Sequence, residues 1–171
     1  MINITIEKLR TLTPAQIKGT IRSATRRAER ATRAAMVKEA GARANIRARA
    51  VRDRIKTEIK DEGKEVEFKV DYRPIPLQKF RARQIRRGVA VRILKGSPRV
   101  TIDRAWISAR GEVWRRKEGT RYPIHRLSGP SVGGIVRGEV WAQAAVRGRE
   151  VLQERIISGV QRYWQRSQNR S

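Results

Sequence analysis

The chain reads as an α+β protein: a small antiparallel β-meander, an N-terminal basic helical hairpin, and a long C-terminal helix packed on the sheet. Three observations predict this class. Residues 88–94, 99–107 and 112–116 are short runs rich in β-branched and aromatic side chains. They are separated by 95–98 and 109–111, where Gly96, Pro98 and Gly111 supply turn chemistry. Upstream, Ile17, Ile21, Ala24, Ala28, Ala31 and Ala35 recur at alternating spacings of four and three, the period of one helix face. Downstream, Trp141, Ala145, Gly148, Leu152, Ile156, Gly159 and Tyr163 repeat that period. A single domain of 171 residues is expected, with a helical region at 1–62, the sheet at 63–134 and the C-terminal helix and tail at 135–171.

In chain order, Ile2, Ile4 and Ile6 alternate with polar residues and suggest an extended arm. Thr13-Pro14 is a helix start, with a capping hydroxyl followed by proline at the first helical position. The stripe from Ile17 to Ala35 is mostly alanine, so its partner can approach closely, while Arg22, Arg26, Arg30 and Arg33 fall on the opposite side. Gly41 is the expected end of this helix. Ala44, Ala48, Val51, Ile55 and Ile59 then suggest a second arm, flanked by arginines that include Arg47 and Arg54.

Asp61-Glu62-Gly63 closes the hairpin. Val66, Phe68 and Val70 then alternate with polar residues as a half-buried strand does. Four carboxylates between Asp61 and Glu67 make this the one acidic patch. Residues 72–76 form a proline-stiffened connector, and 77–87 fit either an extended edge or a short helix. After the meander, Pro123 fixes an extended segment and Gly129-Pro130 makes a sharp corner, with Gly129 in a conformation open mainly to glycine. Ser131 or a neighbour starts the last helix. Gly138, Gly148 and Gly159 call for a kink or a close helix contact within it, since each disfavours a helix interior by about 1 kcal/mol relative to alanine.

The charge is extreme, with 41 Lys+Arg against 16 Asp+Glu and a formal net charge of +25. So basic a chain repels itself unless a polyanion or an acidic partner neutralises it, and the predominance of arginine favours bidentate contacts to phosphate or carboxylate. Between residues 21 and 60 there are 13 Lys+Arg and 4 Asp+Glu. The face bearing Arg22, Arg26, Arg30 and Arg33, with Arg47 and Arg54, is the expected contact with such a partner. Cysteine is absent, which excludes disulfides, thiolate metal sites and a cysteine nucleophile. No apolar run approaches the length of a membrane span, and the N-terminus lacks the pattern of a signal peptide, so a soluble protein is expected.

Catalytic chemistry finds little support. His125 is the only histidine, which leaves no His/carboxylate metal cluster. Asp103, Glu112 and Glu118 show no spacing that groups them as a nuclease set, and Asp103 is expected to pair with a neighbouring arginine. The 128–131 segment has no general base for a nucleophilic serine, and Gly129, Gly133 and Gly134 lack the Lys-Ser/Thr element of a phosphate-binding loop. Neither an enzyme nor a cofactor is expected. The recognised nucleic-acid modules are missing, and aromatics are too sparse for a base-stacking platform, so any nucleic-acid contact would be to the phosphate backbone. Trp106 and Trp114 read as sheet-packing residues.

The order of fragments carries a resemblance. Ile75-Pro-Leu-x-x-Phe-x-x-Arg-Gln84 is followed by a Gly88-Val-x-Val strand, Ala105-Trp106-Ile107 and Val113-Trp114-Arg-Arg. Then comes Pro123-Ile124-x-x-Leu127-x-Gly129-Pro130-Ser131-Val132. This succession resembles the minor tail protein Z family of long-tailed phages and prophages, also called tail completion, with Ala-Trp standing where the family has Ala-Phe. The resemblance implies a non-enzymatic virion component, assembled in the host cytoplasm at the head-proximal end of the tail. It implies a homo-oligomeric ring that meets neck and tail proteins such as the tail terminator and connector, with genomic DNA near its basic surfaces. The alternative, a sequence-nonspecific nucleic-acid-binding protein of the host, explains the charge equally well but not the 123–132 block.

Overall fold

The computed structural model describes residues 12–117 and 121–169, so Ile2, Ile4, Ile6 and Glu118 lie outside the described residues. It is an α+β structure of small antiparallel sheets and long helices. Helix α1 (Pro14–Arg43) begins as expected: the Thr13 N–H donates to Gln16 Oε1 at 2.9 Å while the Gln16 N–H donates to Thr13 Oγ1 at 3.4 Å. It does not end at Gly41 but runs through it to Arg43.

The predicted second arm of the hairpin does not form. Only α2 (Ala48–Arg52) is helical there, and the chain continues as strand β1 (Ile55–Lys60). A spacing of four residues fits a helical turn but is also twice the strand period, so Ile55 and Ile59 satisfied both. The β-branched run Ile55, Thr57, Ile59 favours the strand, and a partner strand follows. The chain reverses through Asp61–Gly63, three consecutive residues with φ of 44°, 55° and 104°. It returns as β2 (Glu65–Val70), the strand that the alternation predicts.

Strand β3 (Pro74–Pro76) replaces the expected connector, a 3-10 turn covers Leu77–Phe80, and β4 (Arg83–Ile85) follows. Residues 77–87 are thus turn and edge strand in succession. Next come β5 (Gly88–Val91), β6 (Val100–Asp103), β7 (Ala105–Ile107), β8 (Val113–Arg116), β9 (Ile124–Arg126) and β10 (Ser128–Ser131). The expected single meander is therefore two sheets. Arg104 takes φ 57° and breaks the 99–107 run, so that β4-β5-β6 forms one antiparallel sheet and β7-β8-β9 another. Ser131 accepts the Gly134 N–H at 3.0 Å and caps α3 (Val132–Val136). Gly138, at φ 79°, separates α3 from the long helix α4 (Glu139–Gln168), so it breaks the helix rather than lying inside it.

The chain divides into two compact units. One comprises Met36–Lys56 and Val70–Trp141 and holds both three-stranded sheets. Among the described residues, the largest fully buried side chains, led by Phe80, Met36, Ile55 and Ile75, all belong to it. The other gathers residues up to Ala35, Thr57–Lys69 and those from Ala142 on. Its interior is made mostly of small side chains: Ala24, Ala28 and Ala144, with Thr20, Thr25 and Thr32 buried among them and Leu12 and Val160 as the larger buried residues.

In this second grouping α1 and α4 run antiparallel, and the glycines of α4 are the notches. A Cβ on Gly159 would stand 2.5 Å from Thr20 Cγ2, and one on Gly148 would collide with Thr32 Oγ1. The close helix contact that the glycines predict is therefore made with the alanine-rich helix α1. The buried Thr20 and Thr32 hydroxyls donate to the carbonyls of Gln16 and Ala28, each at 2.9 Å, so neither is left unsatisfied.

Candidate polyanion interface

Two sets of sequence-predicted residues separate in the structure. The motif residues meet in the sheet-bearing unit. Strand β10 pairs with β3 so that Gly129 stands opposite Ile75 and Ser128 opposite Pro76, joining the two ends of the stretch 75–129. Gly129 does not have a positive φ, contrary to the expectation. Its lack of a side chain serves packing: a Cβ there would lie 2.6 Å from the Phe80 ring. Gly88 has no room for a Cβ because the Ile102 carbonyl occupies the place. Gln84 accepts the Ile107 N–H at 2.9 Å and donates to the Gly88 carbonyl at 2.9 Å. Trp106 stands opposite Trp114 across β7 and β8, as a sheet-packing pair does, and the Arg116 guanidinium lies 5.5 Å from the centre of the Trp106 ring.

Ile124 begins β9, and the Leu127 N–H donates to the Val113 carbonyl at 2.8 Å. Pro123 follows a cis peptide bond and Pro130 lies within β10.

The carboxylates that were weighed for chemistry stand apart. Glu112 binds Arg126 at 3.0 Å, and His125 is exposed opposite Arg115. Asp103 is exposed beside Gly88 in the β5–β6 register and, among the described residues, has no ion pair, so the expected arginine partner is missing. Among the described residues no three His, Asp or Glu side chains gather in a way that could hold a metal ion, and no helix is long and apolar enough to cross a membrane.

The predicted basic row is divided. Arg22, Arg26 and Arg30 are exposed along α1, whereas Arg33 is half-buried and its Nε is enclosed. Arg47 is exposed at the start of α2. Arg54 is not available as an open cation: it approaches Asp71 at 3.3 Å and donates to the Arg73 carbonyl at 2.9 Å. Asp71 also accepts from the side chain and backbone N–H of Arg73, and these hydrogen bonds, with the charges of Arg73 and Arg54, lower its carboxyl to about 2. The acidic patch is likewise consumed locally. Glu67 binds Lys60 at 2.5 Å, Glu62 binds Lys18, and Asp61 binds Lys64 at 3.2 Å. Lys69 adds a bond to Glu58 at 2.7 Å, which holds that carboxyl below its ordinary range.

What the sequence reading missed is a groove in the helical unit. From α1 come Gly19, Thr20, Ser23 and Arg27; from α4 come Arg155, Gly159, Arg162, Tyr163 and Arg166, around a cavity of about 280 Å³. Arg155, Arg162 and Arg166 are spaced by seven and four residues, close to whole turns, so they share one face of α4 over roughly 16 Å at 1.5 Å rise per residue. Arg162 Nε donates to the Ser158 carbonyl at 3.2 Å, which holds its stem along the helix. Among the described residues no carboxylate lies within ion-pair distance of Arg27, Arg155, Arg162 or Arg166.

A second depression continues from the first through Gly19, Ser23 and Arg27 to Arg22, Arg26 and Arg30. Gly19 is exposed within α1, and a Cβ there would meet nothing within 4 Å among the described residues, so no contact among them requires a glycine. The spacing of Arg155, Arg162 and Arg166 was a signal present in the sequence; their meeting with Arg27 was not. No family model, curated protein or solved structure matches this chain.

Proposed function

We propose that this protein is a structural component of a phage tail, of the tail-completion kind, working as an oligomeric ring at the head-proximal end. The observation that carries the reading is the convergence of the motif fragments. The 75–88 fragment, with Ile75, Phe80, Gln84 and Gly88, is well separated in sequence from Gly129, yet they meet in one unit, where each holds a strand pair, a corner or a ring contact. Residues with such duties support a scaffold and not a reaction centre.

The arginines of α1 and α4 supply the second ingredient, a basic surface for DNA in a channel or for acidic neighbouring rings. Immunogold labelling of purified virions with an antibody to this chain is the direct test. Label at the junction of head and tail, together with a ring-sized species of the purified protein in sedimentation, is the expected result. Absence from every virion fraction would overturn the tail reading and leave the nonspecific nucleic-acid binder, which the arginine surface favours independently.

A further inference from the structure

We propose that the groove between α1 and α4 is a binding site for the phosphodiester backbone of nucleic acid. Sequence-independent contacts to that backbone are made by arginine and lysine, by serine, threonine and tyrosine hydroxyls, and by exposed main chain. The groove offers this set: the Arg27, Arg155, Arg162 and Arg166 guanidiniums, the Ser23 and Tyr163 side chains, and bare helix surface at Gly19. An acidic protein partner would call for something else. The buried centre of a protein interface is mostly apolar and poor in charge overall, whereas four arginines and, among the described residues, no aliphatic side chain line this groove.

The site is extended as well as basic. The α4 arginines span several helical turns, and the depression beside them carries the positive surface on to Arg22, Arg26 and Arg30. A run of phosphates suits that length better than a single small anion. Among the described residues Tyr163 is the only aromatic one lining the groove, so the bases themselves have little to stack on.

Gly19 is an independent pointer. It is shared by three neighbouring depressions on this surface, and among the described residues nothing occupies the space above it. A glycine that gives up helix propensity without an internal contact is accounted for if a ligand approaches the main chain there. The inference does not depend on where the protein works, because a tail ring and a host nucleic-acid binder would use the groove alike.

The test is the affinity of the full chain for a fluorescein-labelled DNA duplex of random sequence, measured across a salt series. Each phosphate contact removed should lower the slope of log affinity against log salt by about 0.9, so Arg155→Gln/Arg162→Gln/Arg166→Gln should lower it by roughly 2.7. The control is Arg86→Gln/Arg87→Gln/Arg110→Gln, which removes the same charge from exposed positions in the other unit. A smaller slope change in the control supports the groove; an equal change in both triples overturns it, because bulk charge then suffices.

Gly19→Gln fills the bare surface without altering charge, and it carries the test alone if the triple variant fails to fold. The expected result is at least tenfold weaker duplex binding with an unchanged or higher Tm. Unchanged duplex binding by Gly19→Gln overturns the proposal, whatever happens to assembly with protein partners.

Discussion

The two units are stabilised in different ways. The sheet-bearing unit encloses Phe80, Met36, Ile55 and Ile75 almost completely, while the helical unit buries mainly alanines, threonines and two glycine notches, with Val160 and Leu12, and carries the arginine groove on its surface. Apolar burial contributes roughly 25 cal/mol per Å² removed from water, so large side chains contribute most of the folding free energy and small ones little. A helix pair built on alanine and glycine gains close approach instead, and exposed, solvent-screened ion pairs such as Lys60–Glu67 add little. Self-repulsion among unpaired arginines works against such a pair. The helical unit is therefore the weaker one, and its surface is the one that an anionic partner would stabilise.

The sharpest way to break this comparison is Phe80→Ala. It removes the largest fully buried side chain and should destabilise the chain by about 3–5 kcal/mol in urea unfolding. A smaller loss than that of any variant in the helix seam would show that the sheet-bearing unit does not dominate stability.

Next come two overpacking variants, one in each unit. Gly129→Val drives methyl groups into the Phe80 ring, and Ala28→Leu forces bulk into the buried seam of α1; each should destabilise by about 1–3 kcal/mol. Hydrogen exchange distinguishes them. Ala28→Leu should speed exchange in α1 while β5 and β8 stay protected, whereas Gly129→Val should loosen β3 and β10. If Ala28→Leu melts at or above the parent temperature, the seam is not tightly packed.

Of opposite sign is Gly19→Ala, which adds a methyl into open space on an exposed helix face and should stabilise by up to about 1 kcal/mol. The smallest effect is expected at Asp71. Its carboxyl titrates at about 2 in the folded protein against an ordinary 3.8. Between those values the unfolded chain binds the additional proton, so Asp71 contributes stability above the upper value and loses it as the pH falls through the lower. Thermal melts from about pH 5 down to about pH 2 should show a smaller decline for Asp71→Asn than for the parent chain. An identical decline would mean that the Arg54–Asp71–Arg73 cluster does not hold the ion pair in solution.

Several elements were legible because their signals are local. The Thr13-Pro14 start, the Val66–Phe68–Val70 alternation, the cap at Ser131 and the Trp106–Trp114 pairing each depend on residues close in sequence or on a simple period. The false second helix came from a spacing of four that fits both periods. The split meander came from one residue, Arg104, whose left-handed conformation nothing in its side chain announces.

By itself, then, the sequence determined the α+β class, the long amphipathic helices and the excess of arginine. Tertiary structure decided what those pieces meet. Phe80 makes Gly129 a packing glycine and not a conformational one, and Thr20 and Thr32 fill the notches at Gly159 and Gly148. Asp71 removes Arg54 from the open cations, while Arg27 joins three arginines of a helix that begins more than a hundred residues later. Periodicity specifies which face of an element is apolar or charged, but the partner of that face is set by long-range contacts, whose loop-closure entropy and packing leave no mark on the local pattern.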